Sequence, residues 1–157
     1  MNARKLSLIA LFVLILGVMA FPTLAADKTK TVTVTLTEAQ INSSYRVTNP
    51  RARSITNVNV DLQPGQVVIT ATFTAPKTDP IPVSVTLVPT VSNGRVTWTV
   101  LVASANGQPA STDLLTQINA SISTSWRNYW KGIHPGYVTA LTITDSDITW
   151  TKVYGSK

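Results

Sequence analysis

The chain has 157 residues, of which 44% are hydrophobic and 13% are charged, and it contains no cysteine and a single histidine. This composition suits one globular domain and excludes a disordered chain, a collagen-like repeat and a polytopic membrane protein. The absence of cysteine excludes disulfides, thiolate catalysis and cysteine-based zinc sites. The formal net charge is +6, but few of the cations form a run, so we expect no nucleic-acid partner.

Residues 1–25 have the parts of an export signal. Two cations precede an uncharged apolar stretch from Leu6 to Phe21, and small residues lead to the expected cleavage site after Ala25. The apolar stretch is shorter than the roughly 20 residues that cross a bilayer. We therefore predict a signal peptide at 1–25 and a single secreted or extracytoplasmic domain at 26–157. A retained N-terminal membrane anchor is the alternative.

The first half of the domain has the patterns of one short helix among antiparallel strands. Threonine alternates with aliphatic residues from Lys28 onward, which predicts a strand. Thr37 and Gln40 then form a capping box, which predicts a short helix over about 38–45. Two hairpins follow, with a type II turn at Pro64-Gly65 and a type I′ turn at Asn93-Gly94. The last of these strands is predicted to place four apolar residues on one face: Val96, Trp98, Val100 and Val102.

The second half is predicted to hold a long amphipathic helix and a closing hairpin. Five apolar residues follow one another at helical spacing, namely Leu115, Ile118, Ile122, Trp126 and Tyr129. They predict a helix of roughly 18 to 20 residues that buries this stripe, with Trp130 off the stripe and therefore the aromatic residue expected at the surface. The order of elements predicts an α+β fold, with one curved antiparallel meander sheet wrapped around the long helix and a short N-terminal helix beside it.

The sequence offers little for catalysis or metal binding. His134, the only histidine, lies in a turn-like segment, and no nucleophile elbow, zinc-binding pair or phosphate-binding loop occurs. Glu38 and Asp113 open helices, where a carboxylate favours the dipole. Asp145 and Asp147 flank a tight turn, which explains them better than calcium binding does. We therefore expect no enzyme activity, no cofactor and no metal.

Two sets of residues are candidates for binding. The first set is large and apolar and is placed to line a groove between sheet and helix: Leu115, Ile118, Ile122, Trp126, Tyr129, Trp130, Trp98 and Trp150. The second set is cationic and is placed to meet anionic lipid or wall polymer: Arg46, Arg51, Arg53, Arg127 and Lys131. For the aromatic residues a plain core role is the alternative, and for the cations it is a solvated surface. Two glycosylation sequons begin at Asn42 and Asn119.

Two segments of the chain resemble a known group of bacterial domains. Residues 36–42, LTEAQIN, resemble the opening of the YpmS-like and LmeA-like exported domains of unknown function, and 140–150 resemble their closing hairpin, with Ser146 where a glycine is often seen. The resemblance implies a fold related to tubular lipid-binding (TULIP-like) domains, in which a twisted sheet surrounds a helix beside an apolar groove. It defines no catalytic residues.

Two functional hypotheses follow. The leading one is an exported non-enzymatic domain that binds an apolar or amphiphilic ligand, such as a lipid, between the sheet and the long helix. The alternative is a cell-surface interaction or scaffold module with a filled core. Such a module would bind an anionic membrane or cell-wall surface through its basic loop and its threonine-rich strand faces.

Overall fold

The computed structural model describes residues 29–49, 53–133 and 136–155. The predicted signal peptide, Arg51 and His134 lie outside these residues. The described chain is α+β, with two antiparallel sheets and two helices. Its strands are β1 (Lys30–Thr37), β2 (Ser54–Gln63), β3 (Gln66–Thr74), β4 (Ile81–Ser92), β5 (Arg95–Ala105), β6 (Gln108–Pro109), β7 (Tyr137–Ile143) and β8 (Asp147–Tyr154). Helix α1 is Glu38–Ser44, and helix α2 follows β6.

The strands form two sheets, and the expectation of one curved sheet was wrong. One sheet has the order β1-β8-β7, and the other has the order β2-β3-β4-β5-β6. The chain enters α1 directly after β1, so β1 and β2 are not joined as a hairpin. Strand β1 pairs instead with the C-terminal strand β8 along its whole length, from Lys30 opposite Tyr154 to Thr37 opposite Asp147.

The two sheets meet where two hairpin turns reach β7. The N–H of Gly65, in the β2–β3 turn, donates to the carbonyl of Ile143 at 3.2 Å. The carbonyl of Gly94, in the β4–β5 turn, accepts from the N–H of Val138 at 3.0 Å. Both turns have the geometry that their sequences predict, because Gly65 has a φ of 78° and Asn93 and Gly94 have φ values of 49° and 73°.

Helix α1 is capped as predicted and is fixed to β2 by side chains. Thr37 and Gln40 form the capping box, with the Thr37 N–H donating to Gln40 Oε1 at 2.9 Å. Glu38 Oε2 accepts from the Leu62 N–H at 2.8 Å, and the Asn42 amide bonds both the N–H and the carbonyl of Val60. These bonds to main-chain groups fix α1 across β2.

Helix α2 is continuous over 22 residues and contains a π-helical turn. Its segments are Thr112–Ile118 (α), Asn119–Ser123 (π) and Thr124–Ile133 (α). No helix of the described residues combines the length and apolarity needed to span a membrane. Every fourth residue from Ile118 to Trp130 is almost completely buried, namely Ile118, Ile122, Trp126 and Trp130.

The π turn changes which residues of α2 face the core. A spacing of four drifts around a regular helix of 3.6 residues per turn, and a turn with i→i+5 bonds contains an extra residue that offsets this drift. The prediction that Trp130 lies at the surface was therefore wrong, since it is 1% exposed. Leu115 and Tyr129, at the two ends of the predicted stripe, are only half-buried.

A β-bulge interrupts the predicted alternation of β5. Leu87 pairs with Val100 whereas the preceding Thr86 pairs with Val102, so Leu101 is the extra residue. Leu101 is 64% exposed and Val102 is 55% exposed. Val102 was expected on the same face as Trp98, and the bulge explains why it lies at the surface instead.

Candidate functional site

All four tryptophans belong to one aromatic cluster in the core. Ring-centroid distances of 5.1 to 5.7 Å connect Trp98, Trp126, Trp130, Trp150, Tyr45 and Tyr129. Most of these pairs are edge-to-face, which is a favoured arrangement for aromatic rings. The four tryptophans are at most 5% exposed. Most of the predicted groove residues therefore fill the space between the sheets and α2.

Several polar groups of this interior have no hydrogen-bond partner among the described residues. They are the indole nitrogens of Trp98, Trp126 and Trp150, the Ser123 hydroxyl and the Asn119 side-chain oxygen. A buried polar group without a partner costs free energy. The aromatic cluster is thus closely packed but incompletely satisfied in hydrogen bonding.

A pocket at the surface lies between β5 and the C-terminal half of α2. It has a volume of about 290 Å³ and is lined by Val96, Thr97, Trp98, Arg127, Trp130 and Lys131. We call it the helix-end pocket. It brings together two of the predicted groove residues, Trp98 and Trp130, with two of the predicted anion-binding residues, Arg127 and Lys131.

The two cations of the helix-end pocket are held differently. The Arg127 guanidinium donates from Nε and Nη2 to the carbonyl of Trp98, both at 3.3 Å, which fixes it beside β5. Lys131 is exposed in the last turn of α2, where a cation favours the helix dipole. Neither forms an ion pair with a carboxylate in the part of the chain that the structure describes. The pocket thus combines an apolar wall with positive charge.

The remaining predicted cations lie elsewhere. Arg46 lines a second pocket of about 260 Å³ beside α1, but its guanidinium donates to the carbonyls of Ser43 and Tyr45, both at 2.6 Å. It therefore serves as a cap for the end of α1. Arg53 is exposed and lines a third pocket of about 360 Å³, next to Thr74 at the end of β3.

Tyr45 connects α1 to the π turn of α2. Its ring packs edge-to-face on Trp126, and its hydroxyl donates to the carbonyl of Ile122 at 3.0 Å. Burial raises the pKa of the Tyr45 phenol well above its ordinary value of about 10. Tyr45 therefore acts as a neutral hydrogen-bond donor in the core.

Two of the residues considered for other chemistry have structural partners. Asp147 accepts from the hydroxyls of Thr149 and Ser146 within the last hairpin turn. Both ends of the Asn42 amide are bonded to the main chain of Val60 in β2. Among the described residues, no group of three or more His, Cys, Asp or Glu side chains is placed to hold a metal ion.

Lys152 is a buried cation that sequence reasoning missed. It is 7% exposed and lies on the core side of β8, in the alternation of Ile148 and Trp150. Its Nζ is 6.0 Å from the centroid of the Trp150 ring. The alternation of β8 was the signal that could have placed it, because residue 152 has the parity of the two apolar residues before it.

Comparison with known proteins gave no match: no family model, no curated protein and no solved structure resembles this chain.

Proposed function

We propose that this domain binds an anionic amphiphile at the helix-end pocket. The acidic headgroup contacts Arg127 and Lys131, and the first part of the apolar chain lies against Trp98 and Trp130. The observation that carries the proposal is the presence of two cations, without a described counter-ion, beside two indole rings in one pocket. A charge-assisted hydrogen bond is stronger than a neutral one, and apolar contact adds affinity that a free anion lacks.

Because side chains fill the core, the proposed ligand site is smaller than the groove between sheet and helix that the sequence suggested. Pockets for small molecules typically measure roughly 300 to 1,000 Å³, and this one is about 290 Å³. A headgroup and a short apolar segment fit this volume. The rest of a long chain would lie along the surface or displace a core side chain.

The experiment is a titration with monododecyl phosphate below its critical micelle concentration, and binding is measured by the change in tryptophan fluorescence. Lys131→Gln removes one cation whose side chain is exposed, and Arg53→Gln is the matched control at a distant pocket. We expect Lys131→Gln to weaken binding about tenfold, or about 1.4 kcal/mol, and Arg53→Gln to leave it unchanged. Arg127→Gln should weaken binding at least as much, because Arg127 also positions the Trp98 carbonyl.

The proposal can be contradicted by comparing the affinities of amphiphiles whose head groups carry opposite charge. Dodecyltrimethylammonium has the same chain with a cationic head and should bind at least tenfold more weakly than the phosphate. Equal affinity for the two amphiphiles, or equal loss in Lys131→Gln and Arg53→Gln, would overturn the proposal.

A second candidate is a surface-interaction module that uses the outer face of the β1-β8-β7 sheet. Threonine hydroxyls pair across β1 and β8 there, with Thr35 and Thr149 at 2.8 Å and Thr33 and Thr151 at 3.4 Å. This ordered row of hydroxyls favours the interaction hypothesis. Pull-down on insoluble wall polymer, with Thr33→Val and Thr35→Val tested together, separates it from amphiphile binding because neither residue lines the helix-end pocket.

A further inference from the structure

Strand β5 has a long edge without a strand partner among the described residues. One edge of β5 pairs with β4 from Arg95 to Ala105. The other edge pairs with the two-residue strand β6 only at Ser104 and Ala105. The Ala103 carbonyl also accepts from the Ala110 N–H at 3.0 Å, so residues 95–102 present a second edge with which no described strand pairs. We call these residues the β5 edge.

The register shows which main-chain groups point outward from the β5 edge. Trp98 lies opposite Pro89, which has no N–H, so this pair is not a hydrogen-bonded one. Hydrogen-bonded and non-hydrogen-bonded pairs alternate along an antiparallel ladder, so Val96 and Val100 also direct their N–H and carbonyl groups away from β4. The bond from Arg127 to the Trp98 carbonyl agrees with this assignment.

The side chains around the β5 edge favour a partner of particular chemistry. Exposed sheet edges are commonly protected by lysine, proline or inward-pointing charge, but this edge carries the exposed apolar residues Leu101 and Val102. Arg95 is exposed on the edge, and Arg127 and Lys131 lie beside Thr97 and Trp98. Neither β5 nor the last segment of α2, Thr124–Ile133, contains a carboxylate. The edge is thus positively charged and apolar.

We propose that an extended acidic peptide segment of a partner protein docks on the β5 edge as an added strand. Its main chain bonds the outward groups of Val96 and Val100 and displaces Arg127 from the Trp98 carbonyl between them. Its acidic side chains contact Arg95 and Lys131, and an apolar residue packs on Leu101. A second copy of this chain is the less favourable occupant, because it would bring the same cations against this edge. This docking does not depend on amphiphile binding, although the two sites share Val96 and Lys131.

The main-chain part of the proposal is tested with synthetic peptides. The probe is an N-acetylated ten-residue peptide that alternates valine and glutamate, and the matched control has lysine in place of glutamate. We expect the glutamate peptide to bind at least tenfold more tightly, with an affinity that falls as salt is added. A series of glutamate peptides, each with one N-methylated amide, tests the main-chain bonds. Methylation at alternate positions only should abolish binding, because alternate amides face the edge. A uniform effect of methylation, whether none or complete loss, would overturn the proposal.

The binding position of the peptide on the β5 edge is tested with charge reversal and hydrogen exchange. Arg95→Glu should weaken the glutamate peptide about tenfold, whereas Arg53→Glu, the matched reversal at a distant exposed site, should not. Bound peptide should slow exchange of the Val96 and Val100 amides. Unchanged exchange, or displacement of the peptide by concentration-dependent dimerisation of the protein, would contradict the assignment. Monododecyl phosphate binding should survive Arg95→Glu, so failure of this proposal is distinguishable from failure of amphiphile binding.

Discussion

At the residue scale, Tyr45 couples the stability of the domain to alkaline pH. Its hydroxyl donates to Ile122, and burial raises the pKa of the phenol in the folded state. In the unfolded chain the pKa returns to about 10. Below pH 10 the phenol is protonated in both states and its contribution is complete. Above pH 10 the unfolded chain releases the proton while the folded chain retains it, so stability falls as the pH rises.

Tyr45→Phe isolates this effect. At pH 7 the variant should lose about 1 kcal/mol of unfolding free energy, because the hydrogen bond to Ile122 is lost. Above pH 10 its unfolding free energy should fall less steeply than that of the parent, by up to about 1.4 kcal/mol per pH unit, the effect of one proton. Urea unfolding at several pH values measures both quantities. Tyr154→Phe, which removes a phenol from an exposed residue, is the control for the substitution itself. Parallel curves for Tyr45→Phe and the parent would contradict the assignment.

At the element scale, the π turn of α2 sets the direction of the helix's second half. Ile118 precedes the turn and Trp126 and Trp130 follow it, and all three are buried. Inserting one alanine after Ala120, an exposed residue within the turn, adds a residue beyond the one that the turn accommodates and rotates one half of the helix by about 100° relative to the other. One set of core side chains would then leave the core.

The insertion after Ala120 should therefore lower the unfolding free energy by at least about 3 kcal/mol, the cost of losing a large buried side chain. Ala120→Gly keeps the chain length and controls for the local composition, and we expect it to cost at most about 1 kcal/mol. Urea unfolding measures the loss, and a red shift of tryptophan emission reports the exposed indole. An insertion variant as stable as Ala120→Gly would show that the π turn does not set the packing.

The sequence predicted the features that depend on neighbouring residues and missed those that depend on residues far apart in the chain. The cap at Thr37 and the turns at Gly65 and Gly94 depend on neighbours a few residues away, so their patterns were sufficient. The pairing of β1 with β8 depends on residues at opposite ends of the chain, which periodicity does not encode. Trp130 was misplaced for a related reason, since the α stripe assumed a regular helix and the π turn is visible only in the packed structure.

At the scale of the whole molecule, the candidate site arises where separate elements meet. The sequence placed Trp130, Arg127 and Lys131 at the same end of the long helix but had no means of bringing Trp98 to them. The fold places Trp98 of β5 beside Arg127 and Trp130 of α2, and so brings together members of both sets. Trp126 and Trp150, equally good candidates by residue type, do not line this pocket. Contacts between β5 and α2 therefore decide which candidates reach the helix-end pocket.

The junction of the two sheets at Gly94 is also a property of the whole molecule. Its carbonyl accepts from Val138, and the ring of Tyr137 lies so close that an added Cβ would overlap it. Gly65 has a similar positive φ of 78°, but a Cβ there would meet nothing within 4 Å. The two glycines therefore share backbone strain on substitution and a main-chain bond to β7, and they differ in the contact with Tyr137. This difference makes Gly65→Ala a matched control.

We expect Gly65→Ala to lower the unfolding free energy by about 1 kcal/mol, the cost of a positive φ for a residue with a Cβ. Gly94→Ala should cost at least about 2 kcal/mol more, because the Tyr137 ring must move and the bond between Gly94 and Val138 is disturbed. In the double variant Gly94→Ala/Tyr137→Ala the steric part of the loss in unfolding free energy should be recovered. Urea unfolding of the single and double variants should therefore give a coupling energy of at least about 1 kcal/mol. Equal costs for the two glycine variants, or strictly additive effects of Gly94→Ala and Tyr137→Ala, would show that this turn does not hold the sheets together.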